Sequence, residues 1–276
     1  MSSSENNPTN VVGAASPRTP RGTGRRLNGA VANWLGAAIL SGQYPPGSTL
    51  SGEIEFSEAL DISRSAYREA VRVLIAKGLV ESRTKAGTRV LPHDRWHMLD
   101  PEVLAWAFAG EPDPEFVRDL FELRAIVEPS AAALAAQRRS NADLATMRGA
   151  LSAMTRHTLA NVAGRAADRD FHDAILRATR NHALMSLSAS IGAAVSWTTT
   201  FKQRVGSIPR NPIPDHRLVY AAIAEGDAEG ARSAMHRLVD LALEDTRHSM
   251  RKAKIVDARE TTGEARKPVQ NLRKSR

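Results

Sequence analysis

From about residue 98 to residue 250 the sequence nowhere sustains the apolar/polar alternation of a half-buried strand. It runs instead in alanine-rich stretches of helical length, parted by breaks such as RNPIP and EGD, and the helices expected are 115–139, 141–160, 164–179, 182–206, 213–225 and 228–250. Helices that have only each other to pack against must pool their apolar faces. The fold class expected is therefore mainly α, with an all-α helical bundle over 114–250.

The first third of the chain has a different rhythm. Residues 1–24 are rich in Ser, Asn, Pro, Thr and Gly without a sustained period, and are read as a disordered N-terminal tail. From Leu27, the residues Val31, Trp34, Leu35, Ala38 and Ile39 recur at helical spacing until SGQYPPGSTL stops the helix. A short helix is expected over Glu53–Leu60. Next comes DISRSAYREAVRVLIAKGLV, with Ser63 as N-cap, Val71, Leu74 and Ile75 facing inward, and Lys77-Gly78 as the stop. Two extended pieces, Leu79–Arg83 and Thr88–Leu91, flank the turn TKAG. Three helices followed by a two-stranded ribbon make an N-terminal winged helix-turn-helix over 25–92, joined by a linker at 93–113 to the bundle; 251–276 is expected to be a basic disordered tail.

Charge supports this division. The chain carries +8 overall; residues 251–276 hold nine Lys/Arg against three acids, and 25–91 hold nine against six, which leaves the bundle slightly acidic. A basic module points to nucleic acid as partner. The first turn of the third helix would bring Ser63, Arg64, Ser65 and Arg68 to double-stranded DNA, with Gly87 of the wing turn beside them. An arginine there can grip a guanine edge, while hydroxyls and helix-start N–H groups hold phosphates. Cysteine is absent, no apolar run is long enough to span a bilayer, and MSSSENNPTN lacks a secretory pattern. The expectation is a cytoplasmic protein with no membrane partner.

One stretch of the bundle resists an ordinary amphipathic reading. In DRDFHDAIL, at roughly 100° per residue, Asp168 and His172 lie about 40° apart on an arc shared with Phe171 and Ile175. His216 shares an arc with Val219, Tyr220 and Ile223, and Arg124 lies among Val117, Leu120, Val127 and Ala131. The arc of His236 is mixed, holding Val239 and Leu243 but also Arg232, Asp240 and Arg247. A carboxylate sent into the interior needs a proton, a cation or a metal as partner. Asp with three His suits a divalent ion such as Zn²⁺ or Ni²⁺. Two alternatives stay open on the residues alone: Asp168 and His172 as a buried hydrogen-bonded pair, and Arg124 simply paired with Glu128 four residues on.

The ordered run YPPGSTL, Glu53 and ISRSAYREAVRVLIAKGLVESRTKAGTRV resembles the DNA-binding domain of the GntR family of bacterial transcription regulators. It departs from some members at Ile54, where they carry a DNA-contacting arginine, so that contact is not carried over. ELRAIVEPSAAALAA, DRDFHDAIL, DHRLVYAAI and ARSAMHRLVD are similar to the all-helical FCD effector domain of the FadR subgroup. The resemblance implies a divalent metal held by Asp168, His172, His216 and His236, with Arg124 meeting an acidic effector. It also implies a homodimer on a near-palindromic operator. The linker HDRWHMLDPEVLAWAF is similar to the segment after the wing in repressors of sugar-acid catabolism, which ranks galactonate-like aldonates first as effector and other organic acids such as lactate next. Asn181 and Trp197 are candidates to line that pocket, against a helix cap and a core aromatic. The rival from another class is a metal-dependent hydrolase or lyase using the Asp/His site, and a sensor of the metal itself shares every residue.

Overall fold

The computed structural model describes residues 24–83, 87–206 and 210–264, with backbone alone at 24–28 and 256–264. The described residues fall into two compact units: one holds those up to Ile39 together with those of Tyr44–Trp96, the other Leu40–Gln43 and those from His97 onward.

In the first unit, α1 (Gly24–Leu40), α2 (Glu53–Ala59) and α3 (Arg64–Ala76) close over Leu35, Ile39, Leu74 and Leu79, all fully buried. The start of α3 is set by Ser63, whose Oγ accepts the Ala66 N–H at 3.2 Å. Its end is set by Gly78, which at φ +72° turns the chain so that the Leu79 N–H reaches the Leu74 carbonyl. Phe56 of α2 lies between Trp34 and Tyr67, ring centroids 5.8 and 4.9 Å away, locking the three helices together. The ribbon is β2 (Val80–Arg83) against β3 (Gly87–Val90), antiparallel, with Val80 opposite Val90 and Arg83 opposite Gly87. Gly87 begins β3 at φ +79°, a conformation that favours glycine. The rest of the turn, residues 84–86, lies outside the described residues, as do 1–23 of the expected N-terminal tail.

Two details differ from expectation. A third strand, β1 (Thr49–Leu50), pairs with the free edge of β3 to give the order β1-β3-β2; two residues are too few to show alternation. Ile75, expected inward, is 42 % exposed, because Val71 and Leu74 fill the inner face of α3.

The second unit is helical throughout its described residues: α4 (Pro101–Ala107), α5 (Pro114–Arg138), α6 (Asn141–His157), α7 (Val162–Ala178), α8 (His182–Ser186), α9 (Ser188–Arg204), α10 (Ile213–Glu225) and α11 (Ala228–Glu264). α11 lies along α5 and α10, α7 packs between α6 and α9, and α5 also meets α7. Phe121, Met147, Met154, Phe171, Ile175 and Phe201 form the dry centre. The expected linker is partly structured: Asp100 caps α4 by accepting from the Glu102 N–H at 2.9 Å, and Val103, Leu104 and Trp106 are buried. The expected disordered tail is also corrected over 251–264, where α11 continues; that run contains no proline and no glycine before Gly263. Residues 265–276 lie outside the described residues.

The helix that carries the interior acid is positioned by a close approach. Asn161 caps α7, its Oδ1 accepting the Gly164 N–H at 2.9 Å, and a Cβ on Gly164 would sit 1.6 Å from the Thr158 carbonyl oxygen. Only hydrogen fits between the α6–α7 turn and the first turn of α7. Gly164→Ala should therefore destabilise the protein by about 1–3 kcal/mol through overpacking. Urea unfolding measures this, and an unchanged midpoint would show that the turn yields freely.

Candidate functional site

Asp168 and His172 of α7 and His216 of α10 converge in the interior of the helical unit, each at most 4 % exposed. One potential ligand atom from each lies within 4.8 Å of those of the other two. His216 Nδ1 lies 2.8 Å from the Pro212 carbonyl, an acceptor only, so that nitrogen carries a proton, and in the neutral ring Nε2 keeps its lone pair. That Nε2 faces Asp168 Oδ1 at 3.0 Å. On His172, Nδ1 abuts Glu128 Oε2, while Nε2 lies 3.8 Å from the same Asp168 oxygen.

Asp168 Oδ1 and His216 Nε2 are buried and neither has a hydrogen-bond partner. Two acceptors at that distance repel unless a positive centre lies between them. A divalent ion fits these residues: imidazole, imidazole and carboxylate are suitable donors, and each histidine has its other nitrogen turned to an oxygen, as ligating histidines do. Three protein ligands leave coordination positions open.

Glu128 and Arg124 stand behind His172. Arg124 Nε donates to Glu128 Oε1 at 2.6 Å, so the i,i+4 pair expected as an alternative is present; the second Glu128 oxygen abuts His172 Nδ1 without a well-formed hydrogen bond. Burial would raise the pKa of Glu128, but Arg124 and His172 outweigh it and bring it down to about 2. Burial likewise opposes ionisation of Asp168; in the form with His216 protonated at both nitrogens, its Nε2–H and the positive charge beside it more than compensate and lower the Asp168 pKa.

A cavity of about 30 Å³ opens onto this cluster, lined among others by Arg124, Lys202, Arg210, Leu238 and Asp245. Lys202 of α9 is 9 % exposed, and burial pushes its pKa down to about 8 against the pull of Asp245 and Asp168. Burial pushes the Asp245 carboxyl up, with Lys202 and Arg210 opposing. The charged groups at 202, 210 and 245 were not singled out in the sequence, where they read as ordinary surface charge.

His236 is not brought to the site. Its side chain is 56 % exposed, and its Nδ1 lies 2.8 Å from Asp240 Oδ2. α11 lines the cavity with Leu238, Ala242 and Asp245, and a residue two before Leu238 is turned about 200° away from that face. Asn181 is not brought there either: its Oδ1 accepts from the Ala183 and Leu184 N–H groups at 3.0 and 3.3 Å, capping α8. Trp197 is partly buried against the hydrophobic core.

In the first unit, Arg64 opens α3, is exposed and forms no ion pair among the described residues. Ser63 Oγ lies 3.0 Å from Ser65 Oγ while it caps the helix. Arg68 grips Glu53 of α2 through Nε and Nη2 at 2.9 and 3.0 Å. That pair is largely exposed and contributes roughly 0–1 kcal/mol, so Arg68 can be released cheaply to another acceptor. Ile54 is 54 % exposed on α2. No helix of the described residues is long and apolar enough to cross a membrane.

Two family models match the chain: bacterial regulatory proteins of the gntR family over residues 27–90, and the FCD domain over 119–241. The galactonate operon transcriptional repressor of Escherichia coli is 33 % identical over 202 residues, covering 72 % of this chain and 88 % of the relative. The Uxu operon transcriptional regulator of the same organism is 31 % identical, covering 71 % and 77 %, and its putative L-lactate dehydrogenase operon regulatory protein is 32 % identical, covering 76 % and 83 %. A solved structure described as "Lar controls the expression of the Listeria monocytogenes agr system and mediates virulence" superposes with a TM-score of 0.58 at 19 % identity, covering 80 % of this chain and 97 % of that one; it bears on the fold alone.

Two measurements check the cluster. Purified protein should retain about one divalent ion per chain by elemental analysis, His172→Ala should lose it, and His236→Ala should keep it. Glu128, ionised in the fold well below its ordinary value of about 4.5, contributes stability that is present above that value and lost as pH falls toward about 2. Glu128→Gln should therefore show a flatter acid limb in thermal unfolding than the native protein.

Proposed function

Because the chain belongs to the GntR family of bacterial transcriptional regulators and carries an FCD domain behind its DNA-binding unit, we propose that it represses a sugar-acid catabolic operon and leaves its operator when a galactonate-like aldonate binds. The family is one of regulators, which decides against the hydrolase or lyase reading of the Asp/His cluster. The observation that carries the effector half is the buried Asp168–His172–His216 set, beside a cavity whose lining includes Arg124, Lys202 and Arg210 as well as Asp245. Asp168, His172 and His216 would hold Zn²⁺ or Ni²⁺, and the bound ion would offer its open coordination positions to the carboxylate and hydroxyl oxygens of a hydroxy acid. Arg124 lines the same cavity and pairs with Glu128, whose other oxygen abuts His172.

The size of the cavity supports a switch. At about 30 Å³ it has room for an ion with a water or two, whereas ligand pockets run to roughly 300 Å³ or more. A six-carbon acid enters only a wider form, so it binds the two forms unequally, which is the condition for shifting an equilibrium. A coupling of about 1–3 kcal/mol changes operator affinity some 5- to 150-fold. On the DNA side, α3 enters the major groove with Arg64 at a base edge, and a homodimer sets two such helices about 34 Å apart. The small cavity also favours a second reading, a three-carbon acid such as lactate, and one relative is described as a putative L-lactate dehydrogenase operon regulatory protein.

Galactonate titrated into a protein–operator complex should release the DNA, and prior removal of the ion by chelator should abolish the response. Release by lactate alone would select the second reading, and steady turnover of either acid would return the protein to the enzymes. Arg64→Ala should weaken operator binding by about 1–3 kcal/mol in gel shift without lowering the melting temperature.

A further inference from the structure

Arg210 precedes α10 and lines the cavity with one edge of its guanidinium ion-paired to Asp245 but making no hydrogen bond among the described residues. Nη1 is committed to Asp215 Oδ2. The other edge is different: Nε and Nη2 are both buried, and neither makes a hydrogen bond among the described residues. Asp245 Oδ2 lies 3.2 Å from Nε but off the line of its N–H. Nε and Nη2 are the two donors that a guanidinium presents side-on to a carboxylate, and Arg68 uses that same pair to grip Glu53 in this protein. Buried donors of this kind are strongly driven to find an acceptor. Beside them stands Lys202, nearly inaccessible, its ammonium in no hydrogen bond or close ion pair among the described residues.

We propose that the side-on edge of Arg210, with Lys202 next to it, is the carboxylate anchor of this cavity. The assignment rests on the reading of the helical unit as an acid-binding domain and names where the acid group goes. Arg124 spends its Nε on Glu128, so it can offer a carboxylate its Nη groups but not the side-on edge. Arg210 can accept a carboxylate with its pair to Asp215 intact. When it does so, Lys202 remains to balance the charge of Asp245. An effector therefore needs a carboxylate for Arg210 and further oxygens for the Asp168–His172–His216 side of the same cavity. Neutral polyols of equal size lack the first of these and are rejected.

Formate is a probe small enough for the cavity as it stands. In the full-length protein loaded with Zn²⁺, calorimetry should show formate binding that weakens at least tenfold in Arg210→Gln and in Lys202→Met, with zinc content unchanged. Arg210→Lys keeps the charge, loses the side-on pair, and should also weaken formate at least fivefold; it carries the test if Arg210→Gln does not fold. Native formate affinity in the arginine variants, or no formate binding by the native protein, overturns the anchor. The two readings fail separately. If aldonates and lactate leave DNA binding untouched while formate binding still depends on Arg210, the sugar-acid reading falls and the anchor stands. If aldonates release DNA equally from native protein and Arg210→Lys, the anchor falls and the reading stands.

Discussion

Asp168 is a carboxylate withdrawn from water with one oxygen left unbonded, and the centre of the helical unit is arranged around that cost. α10 supplies His216, whose proton is already spent on Pro212; α7 supplies His172; α5 supplies the Arg124–Glu128 pair that abuts the second imidazole. Each helix meets the others through a polar group that would be expensive to leave alone. The apolar centre of Phe121, Phe171 and Phe201 holds the helices together, and the polar cluster adds directional contacts that apolar packing lacks. A bundle built this way has a specified interior and a reason to respond when a charged species enters.

The DNA-binding unit rests on a different kind of contact. Phe56 between Trp34 and Tyr67 sets the angle of its helices by apolar packing, and the polar groups of α3 stay at the surface. The two-donor pair there, Arg68 with Glu53, is largely in solvent and costs little to exchange. The two units thus keep their polar chemistry in opposite states: buried and committed in one, exposed and replaceable in the other.

Much of this was legible in the sequence, for physical reasons that differ by residue. The helices of the bundle and the helix-turn-helix appear because their apolar periodicity is long and punctuated by Gly, Pro and capping residues. Asp168, His172 and His216 could be placed inside because each shares a clean apolar arc. His236 sits where α11 offers two competing mixed faces, and the one that turns inward carries Leu238, Ala242 and Asp245 instead. Lys202, Arg210 and Asp245 could not be found by pattern, since a charged residue on a helix reads as solvated until other helices cover it. The strand Thr49–Leu50 is too short for any period, and α4 was obscured because a proline opens it and a loop precedes it.

Arg210, Pro212 and His216 belong to one stretch of seven residues, and each plays a separate part: a guanidinium edge, a carbonyl that sets a tautomer, and a ligand nitrogen. Chain connectivity makes these parts mechanically inseparable. A displacement of the arginine end would bear on the Pro212 carbonyl, and through it on the His216 ring that donates to it. Under the proposed anchor, an acid seated at one end would bear on the ligand nitrogen at the other through this one short segment, a lever within a single domain with no relay through the core.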